Sequence, residues 1–307
     1  MTEWIECTLD KLGEIVGGAT PSTKCEDYYG GSIPWITPKD LSSFKGRYIT
    51  SGERNITEKG LASCSAQMMP KDAVLFTSRA PIGYVAIASQ SVCTNQGFKS
   101  IVVNDKADPL FVYYLLKYNK DAIEAMGSGT TFKEVSGKTM RAVKVRIPLD
   151  VSYQKRIAAV LDSLDTKIEN NERINDNLLE QASSIYQAWF EDFILSDGSC
   201  PPSWKQGTLA GIADITSGKR PPVKSAEKTD NAIIPIVGAA SVMGYTTEAN
   251  HTDKILVTGR VGTHGVVQRF NSPCWASDNT LVITSAFYEY TFQILQRIDY
   301  RTLNRGS

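Results

Sequence analysis

The side chains with chemical potential in this chain are cations, hydroxyls and amides gathered in short loops. None forms a nucleophile–base pair. Lys39, Asp40, Ser43, Lys45 and Arg47 make one loop, and Thr77, Ser78 and Arg79, just ahead of Pro81, make another. A third runs from Ser128 through Thr130, Thr131, Lys133 and Lys138 to Arg141, Lys144 and Arg146. Residues 132–147 hold five Lys/Arg against the single Glu134. Lys219, Arg220, Arg260 and His264 stand at comparable places in the second half. Guanidinium and ammonium groups reach phosphates or guanine edges, while hydroxyls and amides hold the backbone or read bases. One such loop alone is ordinary solvated surface. Its recurrence in two halves points to a nucleic acid.

Motifs for catalysis or metal binding are missing. No G-x-G-x-x-G follows a strand and no H-E-x-x-H is present. Ser136–Thr139 (Ser-Gly-Lys-Thr) mimics the end of a phosphate-binding loop, but Phe132 stands where the leading glycine belongs. The Asn/Asp-Pro-Pro-aromatic tetrad of amino-methyltransferases is absent as well. With six scattered cysteines, no C-x-x-C and only His251 and His264, no metal site is expected, and the cysteines read as small buried hydrophobes.

The loops are carried by a repeat. Leu9–Ile15 answers Leu209–Ile215, each followed by a glycine turn at Gly17–Gly18 or Ser217–Gly218, and Ile33–Ile36 answers Ile234–Val237. Asp72–Arg79 answers Asp253–Arg260 and Cys93 answers Cys274, at a constant offset of 181. A period this long means two similar domains. Paired strands are expected at Asp72–Phe76 and Tyr84–Ala88, with Ser91–Val103 continuing the sheet. An amphipathic helix is expected over Leu110–Ala125 and a last strand over 143–147. The fold class is α+β, mostly antiparallel strands plus helices.

Between the repeats, residues 151–193 read as one helix, with Ser152 as candidate N-cap and Pro201–Pro202 barring continuation. Ile157, Leu161, Leu164, Ile168, Asn171, Asn175, Leu178, Ala182, Ile185 and Trp189 fall at alternating spacings of four and three, a coiled-coil seam. Glu169, Glu172, Asp176 and Glu180 read as a solvated face. A single helix cannot bury its own stripe, so the seam needs a partner helix. The expected division is 1–150, a spacer helix 151–197, and 198–307. The two repeats carry net charges of +2 and +3 and the connector −5, in a chain that is neutral overall. No run of 18 apolar residues is present and Met-Thr-Glu-Trp is no signal peptide, so a cytoplasmic protein is expected.

Three segments carry a family resemblance: Leu12–Thr23 (Leu-Gly-Glu-Ile-Val-Gly-Gly-Ala-Thr-Pro-Ser-Thr), Ile33–Asp40 (Ile-Pro-Trp-Ile-Thr-Pro-Lys-Asp), and Gln154–Asp162 (Gln-Lys-Arg-Ile-Ala-Ala-Val-Leu-Asp) opening a helix that closes at Trp189–Phe193. In these the chain resembles the specificity (S) subunit of type I restriction-modification enzymes, over essentially its whole length. The resemblance implies two target recognition domains, each reading half of a split double-stranded DNA site. It implies two long antiparallel helices that space them and dock methyltransferase (M) subunits. S-adenosylmethionine would then sit in the M subunits and ATP-driven cleavage in restriction (R) subunits, with the S chain non-catalytic and binding no cofactor itself. The second repeat stops at Ser307, so counterparts of residues 129–193 are expected to be missing, and the seam to pair with another S chain. The alternative is an S-like scaffold that binds M subunits, or an inactive fragment, without reading DNA.

Overall fold

Each repeat begins on the same small device. Leu9–Lys11 and Leu209–Gly211 are single 3-10 turns. They are closed by Leu12 N–H to Leu9 O and Ile212 N–H to Leu209 O, both 3.0 Å. The turn drops Leu9 and Leu12 into the core with no exposed surface to speak of and aims the chain into the first strand of the main sheet. The computed structural model describes residues 3–79, 81–129, 133–260 and 265–300, and the chain divides into two compact units, 1–173 and 174–307.

The first unit runs β1 (Trp4–Thr8), β2 (Gly13–Gly17), β3 (Tyr29–Ile36), α1 (Pro38–Ser42), β4 (Tyr48–Ile49), β5 (Arg54–Ile56), α2 (Glu58–Ala62), β6 (Val74–Phe76), β7 (Val85–Ala88), β8 (Cys93–Thr94), β9 (Lys99–Val103), α3 (Pro109–Tyr118), α4 (Lys120–Ala125), α5 (Gly137–Ala142) and β10 (Lys144–Pro148). The helix α6 (Val151–Tyr186) follows, its residues up to Arg173 belonging to the first unit and those from Ile174 to the second. The second unit continues through β11 (Asp214–Ser217), β12 (Ile234–Val237), β13 (Val242–Thr246), β14 (Ile255–Gly259), β15 (Gln268–Phe270), β16 (Trp275–Ala276), β17 (Thr280–Thr284) and α7 (Tyr288–Arg297).

The sheets establish the repeat. The order β2-β9-β6-β7-β4 in one unit matches β11-β17-β14-β15 in the other, and β5-β3-β8 matches β13-β12-β16. The pairing β3–β8 is parallel, and so is β12–β16. In the first unit α3 covers one face of the larger sheet, with Phe111, Val112 and Leu115 against Val74 and Ile101. In the second, Phe292 and Leu295 of α7 cover Leu256 and Ile283. The fold is α+β with a long helix, as its composition and periodicity lead one to expect.

Hydrogen-bond register corrects the sequence alignment by one residue. Val74 pairs with Ile101 and Leu256 with Ile283. Ser78 N–H bonds Gly97 O at 2.7 Å, and Arg260 N–H bonds Asn279 O at 2.9 Å. These equivalences put the offset at 182, so Arg260 stands where Ser78 does, and Arg79 answers Val261, outside the described residues. The strands β6 and β14 are buried on both faces. Their apolar runs lack the alternation that reveals which side chain points where, and a one-residue slip exchanges the faces.

Other boundaries shift for local reasons. The stretch 91–103 is two strands in different sheets, separated by a turn in which Gly97 N–H donates to Asn95 Oδ1, 2.9 Å. The predicted helix over 110–125 breaks at Asn119, whose Nδ2 donates to Leu115 O, 2.8 Å. Asp150 caps α6, accepting from Ser152 N–H at 2.8 Å, which displaces Ser152 from that role. The α-helix ends at Tyr186 and passes into one π turn, Gln187–Glu191.

The glycine turns have a steric cause. A Cβ on Gly18 would strike the carbonyl oxygens of Thr94 and Asn95, and one on Gly218 those of Ser277 and Ala276. A Cβ on Gly17 would meet only Lys99 Nζ, at 4.0 Å. Gly18→Ala is therefore expected to destabilise the protein by roughly 1–3 kcal/mol, with Gly17→Ala changing stability by less than about 1 kcal/mol. Urea midpoints of the two variants check this, and equal midpoints refute it.

Candidate nucleic-acid interface

The three basic loops of the first unit do not commit all their cations to solvent. In the first, Asp40 is structural. Its carboxylate accepts Thr37 N–H (2.7 Å) and Glu53 N–H (2.8 Å), and Thr37 Oγ1–H (2.6 Å). Lys39 and Ser43 are solvent-exposed beside it. Lys39 Nζ meets Glu53 Oε2 at 2.7 Å, and that hydrogen bond raises the lysine pKa. Lys45 is exposed near α6, in a groove shared with Lys117, Asp165 and Glu172.

Arg47, expected to face solvent, does not. Its side chain is only 11% exposed. It lies against α6, with Nη2 donating to Thr166 Oγ1 (2.8 Å), Nη1 to Glu169 Oε1 (3.1 Å), and Nε 2.8 Å from Asp162 Oδ1. The Nε–H is not aligned for a hydrogen bond, so the last contact is charge on charge. Arg47 is thus removed from the set of free cations, and Glu169 is not simply a solvated residue.

The second and third loops are stitched together. Ser128 and Glu134 exchange N–H to O bonds (3.1 and 2.9 Å), and Val135 N–H reaches Ser78 O at 2.9 Å. The Glu134 carboxylate then lies between Arg79 Nη1 (3.7 Å) and Lys99 Nζ (3.6 Å). Lys133 and Lys138 are exposed on the same segment, and Arg141 Nη2 donates to Ile15 O (3.3 Å) in the middle of β2. Lys99 was missed in the sequence because it opens a strand, with no local cluster to mark it. Thr77 and Ser78 are fully buried scaffold. Thr77 Oγ1 donates to Pro81 O (2.8 Å) and accepts Tyr84 N–H (2.8 Å), and Ser78 Oγ donates to Gly97 O (3.2 Å). Lys144 and Arg146 depart from this group. They lie on β10, with Lys144 3.2 Å from Glu6 and Arg146 over the Trp4 ring. Thr130 lies outside the described residues.

In the second unit, Lys219 and Arg220 follow the glycine turn after β11 and Arg260 follows β14, all three exposed. Arg260 Nη1 reaches Ser217 Oγ at 3.4 Å, which brings these two chain segments side by side. His264 lies outside the described residues. The turn is held by a tryptophan in both units, though from different strands. Trp35 Nε1–H of β3 donates to Ala19 O (3.0 Å), and Trp275 Nε1–H of β16 donates to Lys219 O (2.7 Å).

Along α6, Ile157 packs on the first unit's core and leaves the seam. Leu161, Leu164, Ile168, Leu178, Ile185 and Trp189 are exposed, as are Asn171, Asn175 and Ala182. Val160, Ile174 and Leu179, also exposed, widen the apolar face.

Cys93 and Cys274 are fully buried, and burial pushes their thiols up to about 12 and about 11. Cys200 is exposed, contrary to expectation. Among the described residues no His/Cys/Asp/Glu group could hold a metal, and no helix is long and apolar enough to cross a membrane.

The chain matches the family model of the type I restriction modification DNA specificity domain over residues 1–180, and it belongs to that family. It is 40% identical over 248 residues to the type I restriction enzyme MjaIX specificity subunit of Methanocaldococcus jannaschii, covering 76% of this chain and 57% of that protein. It is 29% identical over 167 residues to the EcoR124I/EcoR124II specificity subunit of Escherichia coli, covering 52% of this chain and 40% of that one. The chain thus spans about half the length of these curated relatives. Its fold is like that of the type I restriction-modification S subunit from M. genitalium, with TM-score 0.60 at 18% identity, over 98% of this chain and 80% of that one.

One titration is testable in the second unit. His251 has its pKa held below the ordinary 6.5, first by burial and then by the Lys219 charge. The unfolded chain therefore binds this proton more readily, so the stability the neutral imidazole contributes is complete above about pH 6.5 and is lost as pH falls through the folded value. Thermal melting of the wild type is expected to drop more steeply below that pH than melting of His251→Asn. Parallel curves would exclude the effect.

Proposed function

We propose that this chain is the non-catalytic DNA-sequence specificity subunit of a type I restriction-modification complex, each unit reading one half of a bipartite double-stranded site. The observation that carries the reading is the stitched cluster of Arg79, Lys99 and Lys133 at the end of the first sheet, with Lys219, Arg220 and Arg260 at the corresponding end of the second. Lys39, Ser43 and Lys138 extend the first surface, and Thr130 and His264 complete the proposed set. Rigid strand ends that present several cations suit phosphate gripping and groove reading. The M subunits supply S-adenosylmethionine and methylation, the R subunit supplies ATP-driven cleavage, and the assembly works in the cytoplasm.

DNA binding by the complex with M subunits should weaken steeply as salt rises. Arg79→Ala is expected to cost about 1–3 kcal/mol of binding, and Lys133→Ala to lower the salt slope by about one. Unchanged affinity together with an unchanged methylated sequence in both variants sinks the assignment. M-subunit binding without any DNA binding would favour a scaffold instead.

The open apolar face of α6 supports a second element of the reading: a helix of another S chain docks along Leu161–Trp189. An isolated exposed stripe of this kind is a coiled-coil half, and Asn171 and Asn175 at its middle favour one register. Sedimentation at micromolar concentration should show association that the pair Leu164→Asp and Leu178→Asp abolishes. A monodisperse wild-type monomer contradicts it.

A further inference from the structure

The first unit grips α6 at two separated places, and the second grip has a geometry that serves orientation. At the start of the helix, Ala158 and Gln154 are buried. Gln154 accepts Asp108 N–H (3.0 Å) and donates to Lys106 O (3.2 Å) and Pro148 O (2.9 Å). Two to four turns further on, Arg47 engages Asp162, Thr166 and Glu169. These three lie at i, i+4 and i+7, one face of the helix. From α3, Tyr114 Oη–H donates to Asp165 Oδ2 (3.1 Å) and Lys117 Nζ stands 3.6 Å from the same oxygen. Burial, and then the Asp165 charge, raise the Tyr114 pKa, so the phenol stays a proton donor.

A rod held at one point pivots; held at two it has a direction. The helix rises 1.5 Å per residue, so residues 158 and 169 are about 16 Å apart. We propose that Arg47 is a positioning residue: by clamping Asp162, Thr166 and Glu169 it fixes the direction of α6 from the first unit, and thereby sets which separation between DNA half-sites the complex accepts. The proposal rests on the reading of the chain as a bipartite specificity subunit. One added base pair displaces the half-sites by about 3.4 Å and rotates them by about 35°. A clamped helix rejects that displacement, and a hinged one tolerates it. The apolar seam is not involved, because Asp162, Thr166 and Glu169 lie on a different face of the helix from Leu164 and Ile168, which remain exposed.

The helix-side variant Asp162→Asn/Asp165→Asn/Glu169→Gln keeps side-chain size and leaves Arg47 and the recognition loops intact. Arg47→Lys and Arg47→Met test the other side. With full-length protein in complex with M subunits, methylation is scored on a DNA library carrying the same half-sites at varied separations. The triple variant and Arg47→Met are expected to keep the half-site sequences but lose about tenfold of the preference for the native separation over one base pair more or less, the size expected for one broken coupling in a shared ion-pair network. Arg47→Lys should recover part of it. A second measurement needs no DNA. Spin labels carried on non-natural amino acids at Glu58 and Asn170 should give a narrow distance distribution in the wild type and a broader one in the triple variant. An unchanged distribution overturns the clamp, even if Arg47→Met fails to fold. A broadened distribution with unaltered separation preference overturns the role in site selection. Wild-type complex that methylates no bipartite site overturns the specificity reading itself, while the distance measurement, repeated with Asp162→Asn/Glu169→Gln alone, still decides whether Arg47 orients the helix.

Discussion

The buried carboxamide of Gln154 ties together three parts of the first unit that also share one apolar core. It takes the N–H of Asp108, where α3 begins, and gives its own hydrogens to Lys106 O and Pro148 O, at the end of β10. The side chain has no exposed surface. Both of its polar atoms are satisfied, and removing it would strand a backbone donor and two acceptors in the interior at about 1–3 kcal/mol for each group left unsatisfied. The start of α6, the cover helix α3 and the β1–β10 ribbon therefore share one polar fastening. This gives a physical reason for a glutamine at the head of the Gln154–Asp162 segment, where an apolar helix start would leave those groups unpaired.

Much of the fold was legible because it follows from patterns with few solutions. Gly17–Gly18 and Ser217–Gly218 announce turns, and a run of residues from 151 onward without Gly or Pro, striped at four and three, has to be a long helix. The register of β6 against β14 was not legible. Both strands are apolar on both faces, so the identity of neighbouring residues misled where only hydrogen bonding decides. The separation of 91–103 into two sheets was hidden for a related reason: a two-strand pair such as β3–β8 is made by long-range parallel contact that leaves little local trace.

The candidate surface was legible in composition and not in arrangement. Arg79 and Lys133 come together through strand-like bonds between Ser128 and Glu134 that no spacing rule suggests. Lys99 joins them from the first position of a strand. Arg47, indistinguishable from Lys45 as a sequence, is claimed by carboxylates more than a hundred positions away. The same helix thus works on two sides at once. One side is charged and committed to the first unit, and the other is apolar and open to a partner. A charge count over the connector records the first only as acidity.

The two tryptophans that close the glycine turns are not at equivalent positions. Trp35 belongs to β3 and Trp275 to β16, the counterpart of the strand β8 that pairs with β3, yet each indole donates to the residue just after the turn glycine. What the duplicated domains hold in common is therefore a bond to a carbonyl, supplied from whichever neighbouring strand carries the indole. A chimera that transplants β3 from one unit without the matching β8 or β16 strand would carry two tryptophans to one carbonyl, or none. The smallest exchangeable piece of this domain is the strand pair.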